Sequence, residues 1–82
     1  MQKMNPRVSK VTPENNHCLL LEFANGEKGE FDVSPYLGKG IFSQLKEPAY
    51  FQQVRVSMGT IEWPEGQDFC PDTLFELSKA IA

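Results

Sequence analysis

Residues 17–33, HCLLLEFANGEKGEFDV, constrain the fold more tightly than any other part of the chain. Leu19, Leu21 and Phe23 alternate with Cys18, Leu20 and Glu22, the two-residue period of a strand with one buried face. Phe31 and Val33 alternate in the same way with Glu30 and Asp32. Ala24-Asn25-Gly26 between the two runs is a hairpin signal, and parity decides its register. A two-residue Asn25-Gly26 loop would set Leu19 and Leu21 opposite Asp32 and Glu30, wasting the apolar face. A three-residue loop instead pairs Phe23 with Glu27, Leu21 with Gly29 and Leu19 with Phe31. Gly26 then occupies the left-handed position that a type I turn plus G1 bulge requires. The longer loop is therefore expected.

Around this hairpin the remaining segments are short. RVSKVT (7–12) reads as a strand closed by Pro13; Val8 and Val11 stand three apart, which calls for a bulge or an early end. Pro35 after Ser34 indicates a single helical turn capped by Ser34. Ile41, Phe42 and Leu45 have helical spacing, and another short turn is expected to start near Pro48 with Phe51 facing inward. VRV (54–56) and TIEW (60–63) read as strands joined through Ser57, Met58 and Gly59. In PDTLFELSKAIA, Leu74, Leu77 and Ile81 form an apolar stripe widened by Phe75 and predict one long C-terminal helix. Pro71 fits its first position, Asp72 its first turn and Lys79 its last. The expected fold is α+β: an N-terminal antiparallel meander, short helical turns, two further short strands, and a C-terminal helix packed on the sheet.

Eighty-two residues make a single domain over 1–82, with residues 1–6 expected to be flexible. No apolar run approaches a membrane span, and the polar N-terminus lacks the apolar centre of a secretory signal. Cys18 and Cys70 are too few for a disulfide framework, so a reducing cytoplasm is the expected location. The net charge of −3 is unevenly spread. Lys3, Arg7 and Lys10 make the start basic, whereas the last third holds five acids and one lysine. Such a balance disfavours nucleic acid, whose binding draws most of its affinity from phosphate neutralisation.

Motifs for chemistry are lacking. His17 is the sole histidine; its sequence neighbour Cys18 points to the opposite strand face, and a pairing with Cys70 is geometrically open but supported by nothing in the spacing, so His17 is read as a polar residue at a strand entrance. Three Cys and His residues in all, with no paired spacing, do not make a zinc site. Glu65, Asp68 and Asp72 lack the order of a calcium loop. GEKGEFD and GKGIF match no phosphate-binding pattern, and their glycines are read as turn formers. Glu30 and Asp32 lie on the outer face of the hairpin, without the desolvation that tunes a catalytic carboxylate pair. No catalytic residue, cofactor or metal is expected.

TIEWPEGQDFC (60–70) reads structurally throughout. Trp63 anchors the core with its indole N–H on a backbone carbonyl, and Pro64-Glu65-Gly66 turns. Asp68 makes an Asx-type bond, Phe69 returns to the core, and Cys70-Pro71 opens the helix. The sequence W-P-x-G-x-D-x-x-P-D-x-L from Trp63 to Leu74, with LLLEFANGEKGEFDVSPYL and GIFSQLKEPAYFQQVRV, resembles the bacterial domain-of-unknown-function family 2442 over roughly residues 8–78. Cys70 stands where that family often has serine or alanine. The resemblance implies a small α+β domain without established catalytic residues, acting as one half of a toxin–antitoxin-like pair. Some members add a helical DNA-binding domain, which is not expected here because the chain stops at Ala82.

The expected function is a protein-interaction module whose partner is another small protein or a second copy, engaged through an open sheet edge. Tyr36, Tyr50 and Arg55 are residue types favoured in interfaces and are the candidates for contact. The alternative is a nucleic-acid-binding regulator using Lys3, Arg7 and Lys10.

Overall fold

The computed structural model describes residues 5–81. Its largest element is an antiparallel sheet of β1 (Val8–Pro13), β2 (Cys18–Phe23), β3 (Lys28–Asp32) and β7 (Lys79–Ile81), in that spatial order. The second sheet joins β4 (Arg55–Ser57), β5 (Thr60–Glu62) and β6 (Asp68–Phe69), also antiparallel. Two 3-10 turns, Ser34–Tyr36 and Gly40–Lys46, and the one-turn helix α1 (Pro48–Phe51) carry the chain from one sheet to the other. Helix α2 (Pro71–Leu77) leads from β6 to β7. The α+β class and the N-terminal meander are as expected.

The β2–β3 register is the one that parity requires. Leu19 lies opposite Phe31 and Leu21 opposite Gly29. The Phe23 N–H donates to the Glu27 carbonyl (2.8 Å), the Gly26 N–H to the Phe23 carbonyl (2.9 Å), and Gly26 has φ +91°. In β1 the irregular valine spacing is a bulge: Val8 pairs with Phe23 but Lys10 with Glu22. The extra residue, Ser9, turns outward and donates its hydroxyl to the Glu22 carbonyl (3.0 Å). The bulge lets both Val8 and Val11 pack against the core despite their odd spacing.

Three expectations are corrected. The C-terminal helix ends at Leu77, because Ser78 turns extended (φ −76°, ψ 150°) and residues 79–81 pair with β3 as β7. Leu77 and Ile81 consequently face outward, 61% and 42% exposed, and Lys79 belongs to a strand rather than to a last helical turn. Ser34 does not cap its turn but is its first residue, after the N-cap Val33, and its N–H donates to the Asp32 carboxylate (2.9 Å). Gly29 makes no turn but sits buried within β3, where a Cβ would come within 2.6 Å of the Ser78 hydroxyl. The absence of a side chain there lets the end of α2 cross the sheet. Of the six residues expected to be flexible, 1–4 lie outside the described residues, and Asn5 donates to Asp72 (3.3 Å) and Glu76 (3.1 Å) on α2.

The core lies between the inner face of the larger sheet and the smaller sheet, closed by α2. Leu19, Leu21, Phe31, Val33, Leu45, Ile61, Trp63 and Leu74 are essentially solvent-free. Each such side chain contributes about 1.5–3 kcal/mol of apolar burial. Phe69 is the hub of the aromatic packing, with Phe31, Tyr36 and Phe42 all at 5.1 Å between ring centroids.

Candidate interaction surface

The W-P-E-G-Q segment is a hairpin built on the same plan as F-A-N-G-E. The Trp63 N–H donates to the Gln67 carbonyl and the Gly66 N–H to the Trp63 carbonyl, both 2.9 Å, and Gly66 has φ +99°. It joins β5 to β6, so the turn connects two strands before the helix, not a strand directly to a helix. Trp63 is 1% exposed and its indole donates to the Phe51 carbonyl (2.9 Å), as its place in the sequence suggested. Asp68 lies in β6 opposite Glu62, exposed, outside the turn in which an Asx-type bond was expected of it.

Gln67 escaped the sequence reading. It is buried, and its amide makes three bonds: Oε1 accepts from the Tyr50 hydroxyl (2.7 Å), and Nε2 donates to the Ile41 carbonyl (2.9 Å) and to Gln44 Oε1 (2.7 Å). The Tyr50 hydroxyl also accepts the Glu65 N–H (2.8 Å). One side chain thus ties the hairpin to α1 and to the 3-10 turn before it. The signal that could have revealed it is the match to F-A-N-G-E. Glu27 is exposed in the equivalent place, so a glutamine there in a loop beside Trp63 could have been tested for burial.

Of the interface candidates, Tyr36 is half-buried, stacks on Phe31 and carries Lys39 over its ring at 5.7 Å. Tyr50 is half-buried in the Gln67 network, whereas Arg55 is 68% exposed in an ion pair with Glu62 (2.9 Å) across β4 and β5. Of the basic residues, Lys3 lies outside the described residues. Arg7 donates to the Met58 carbonyl (3.2 Å) with its chain against Gly59, and Lys10 projects from the outer face of the larger sheet.

His17 and Asn16 both adopt left-handed backbone, φ 59° and 65°. The His17 carbonyl accepts the Val33 N–H (2.9 Å), Nε2 lies 3.1 Å from the Lys46 carbonyl, and the ring meets Phe51 edge-on at 5.2 Å. The imidazole therefore braces the meander against α1. Glu14 is held above the ordinary carboxylate range by its hydrogen bond to the Glu30 carboxyl, with repulsion from Glu30 acting in the same direction. The Cys18 thiol is pushed up by burial and by the carboxylates of Asp32, Glu30 and Glu14. A thiol so placed has little thiolate character and is a poor nucleophile. Cys18 and Cys70 are both free thiols. Among the described residues no group of three or more His, Cys, Asp or Glu side chains is arranged to hold a metal ion. No helix among them is long and apolar enough to cross a membrane.

A small α+β domain of two antiparallel sheets, whose signature segment W-P-E-G-Q-D builds a hairpin over a buried tryptophan, is the class that fold and site define. The chain belongs to the family described as Protein of unknown function (DUF2442), whose model matches residues 8–80. No curated protein and no solved structure matches it.

Proposed function

We propose that this protein is a non-catalytic protein-interaction module of the cytoplasm, the antitoxin-like half of a pair whose other member is a small protein. The observation that carries the reading is β7. This strand is hydrogen-bonded to β3 on one side, all three of its residues are exposed, and it forms one edge of the larger sheet. A free strand edge offers a row of backbone donors and acceptors that an extended partner segment can complete. The fully bonded Gln67 network and the high thiol of Cys18 support a scaffolding role over a catalytic one.

The test is affinity capture from the native cell at moderate salt, with one half of the lysate nuclease-treated, followed by hydrogen exchange on the purified complex. A small protein recovered stoichiometrically in both halves, with slowed exchange at 79–81, is the expected result. Recovery that vanishes with nuclease would replace the reading with the nucleic-acid alternative.

A further inference from the structure

Among the described residues nothing covers the outer face of the larger sheet, and its charges are sorted. The strand registers arrange it in three rows running across the strands. Lys10, Glu22 and Lys28 stand in line and reach Ile81 at the edge. Thr12, Leu20, Glu30 and Lys79 make the middle row. Glu14, whose N–H bonds the Cys18 carbonyl, lies beyond Cys18 and Asp32 in the third. One end of the face is therefore cationic, the other anionic, with half-buried Leu20 between them. Arg55–Glu62 is the one ion pair among the described residues, so none of these charges is neutralised by a close contact among them. Beside Leu20 the face is indented by a groove of about 130 Å³ reaching Lys10, Thr12, Glu22 and Lys28.

We infer that this face docks against the same face of a second copy, about a two-fold axis that runs along the middle row. Rotation about that axis lays the first row of one copy on the third row of the other. Lys10 then meets the partner copy's anionic corner at position 14, Lys28 meets position 32, and Leu20 packs on its own equivalent. Glu30 and Lys79 in the same row also each meet themselves, and because the two are neighbours across the strands each like-charge contact has the opposite charge beside it. The other in-plane axis, parallel to the strands, keeps a Glu22–Lys28 contact but sets Lys10 against Ile81, Leu20 against Glu30 and Cys18 against Asp32, and so loses the contacts of both Lys10 and Leu20. Rows on one sheet face repeat roughly every 7 Å and packed sheets stand about 10 Å apart, a gap that lysine and glutamate side chains can span. The face is four strands wide with one short strand, at the small end of specific interfaces, so the dimer is reversible and concentration-dependent. The Glu14 carboxyl, whose ionisation is disfavoured by its hydrogen bond to Glu30 and by that group's charge, gains a cation in this assembly. The edge of β7 plays no part, so this inference stands apart from the partner reading above.

Sedimentation equilibrium of the full chain over a thousandfold range of concentration tests it, with Trp63 fluorescence and circular dichroism confirming the fold of each variant. The wild type is expected to dimerise, and to do so more weakly in high salt. Lys10→Glu and Glu14→Lys each reverse both symmetry-related contacts and are expected to weaken self-association about tenfold. Mixed together, the two variants are expected to recover a heterodimer of wild-type affinity, because each supplies the charge that the other has lost. Leu20→Arg is expected to leave a folded monomer. A wild type that stays monomeric throughout overturns the inference, as does a dimer indifferent to Leu20→Arg. So does a mixture no tighter than its separate components.

Discussion

Replacing Gln67 by glutamate changes a few atoms and should cost a large share of the stability. The carboxylate can still accept the Tyr50 hydroxyl, but the oxygen in place of Nε2 faces two acceptors, the Ile41 carbonyl and Gln44 Oε1. Gln44 is exposed and can rotate its amide to present a donor; a backbone carbonyl cannot. What remains is one lost bond of about 1 kcal/mol and a desolvated carboxylate against an unpaired carbonyl, worth about 2 kcal/mol more. The total of about 3 kcal/mol compares with a stability of roughly 4–12 kcal/mol for a chain of this length. The loss should depend on pH. Burial raises the folded-state pKa of the introduced carboxyl above its unfolded value, so its proton is held more tightly in the folded chain. The variant is thus closest to wild type in acid, where a neutral carboxyl can donate to the Ile41 carbonyl and the loss falls to about 1 kcal/mol. Stability is then lost as pH rises through the raised pKa. Urea unfolding followed by Trp63 fluorescence across a pH series measures this directly. A loss below about 1 kcal/mol that does not change with pH would show that residue 67 is solvated and that the network does not anchor the hairpin.

Two glycine replacements should fail for different reasons. Gly29→Ala has no backbone strain but drives a Cβ to 2.6 Å from the Ser78 hydroxyl, so about 1–3 kcal/mol should be lost, and Ser78→Gly in the same chain should recover most of it in thermal unfolding. Gly66→Ala meets nothing within 4 Å, and its cost of about 1–2 kcal/mol comes from φ +99° alone, so no second-site change of a neighbouring side chain should relieve it. Glu14→Gln should raise the melting temperature at neutral pH. Glu14 has a raised folded-state pKa, so its stability contribution is present in acid and lost as pH rises; the advantage of the variant should therefore vanish below the ordinary carboxylate range. A double-mutant cycle on Arg55 and Glu62 should return less than about 1 kcal/mol, since the pair is exposed and screened by solvent.

The hairpin was legible because its information is local. Alternation at Leu19, Leu21, Phe23, Phe31 and Val33 fixes faces, and parity with Gly26 then fixes the loop. The bulge at Ser9 was legible for the same reason, as a fault in a period. Trp63, Phe51 and Phe69 could be placed in the core because a large apolar side chain in a chain this short has few other places to go. What could not be read was decided by distant parts of the chain. The stripe of Leu74, Leu77 and Ile81 is helical in period, yet the open edge of β3 takes residues 79–81 for a strand, a competition no local pattern records. Gly29 looked like a turn former because its reason for being glycine is the hydroxyl of Ser78. The surface charges follow the same rule: the sorted face emerges only once the register sets Lys10 beside Glu22 and Lys28.

The order of events in folding follows from β7. The hairpins at Gly26, Gly59 and Gly66 close over a few residues each, whereas β3 and β7 join Lys28 to Ile81 across most of the chain. Three residue pairs cannot offset the entropy of closing so long a loop, so β7 can settle only after β6 and α2 have docked and shortened the search. It is then a latch, the last strand to engage and the first to release. Amides there should exchange with solvent through brief local openings while the core around Trp63 stays closed.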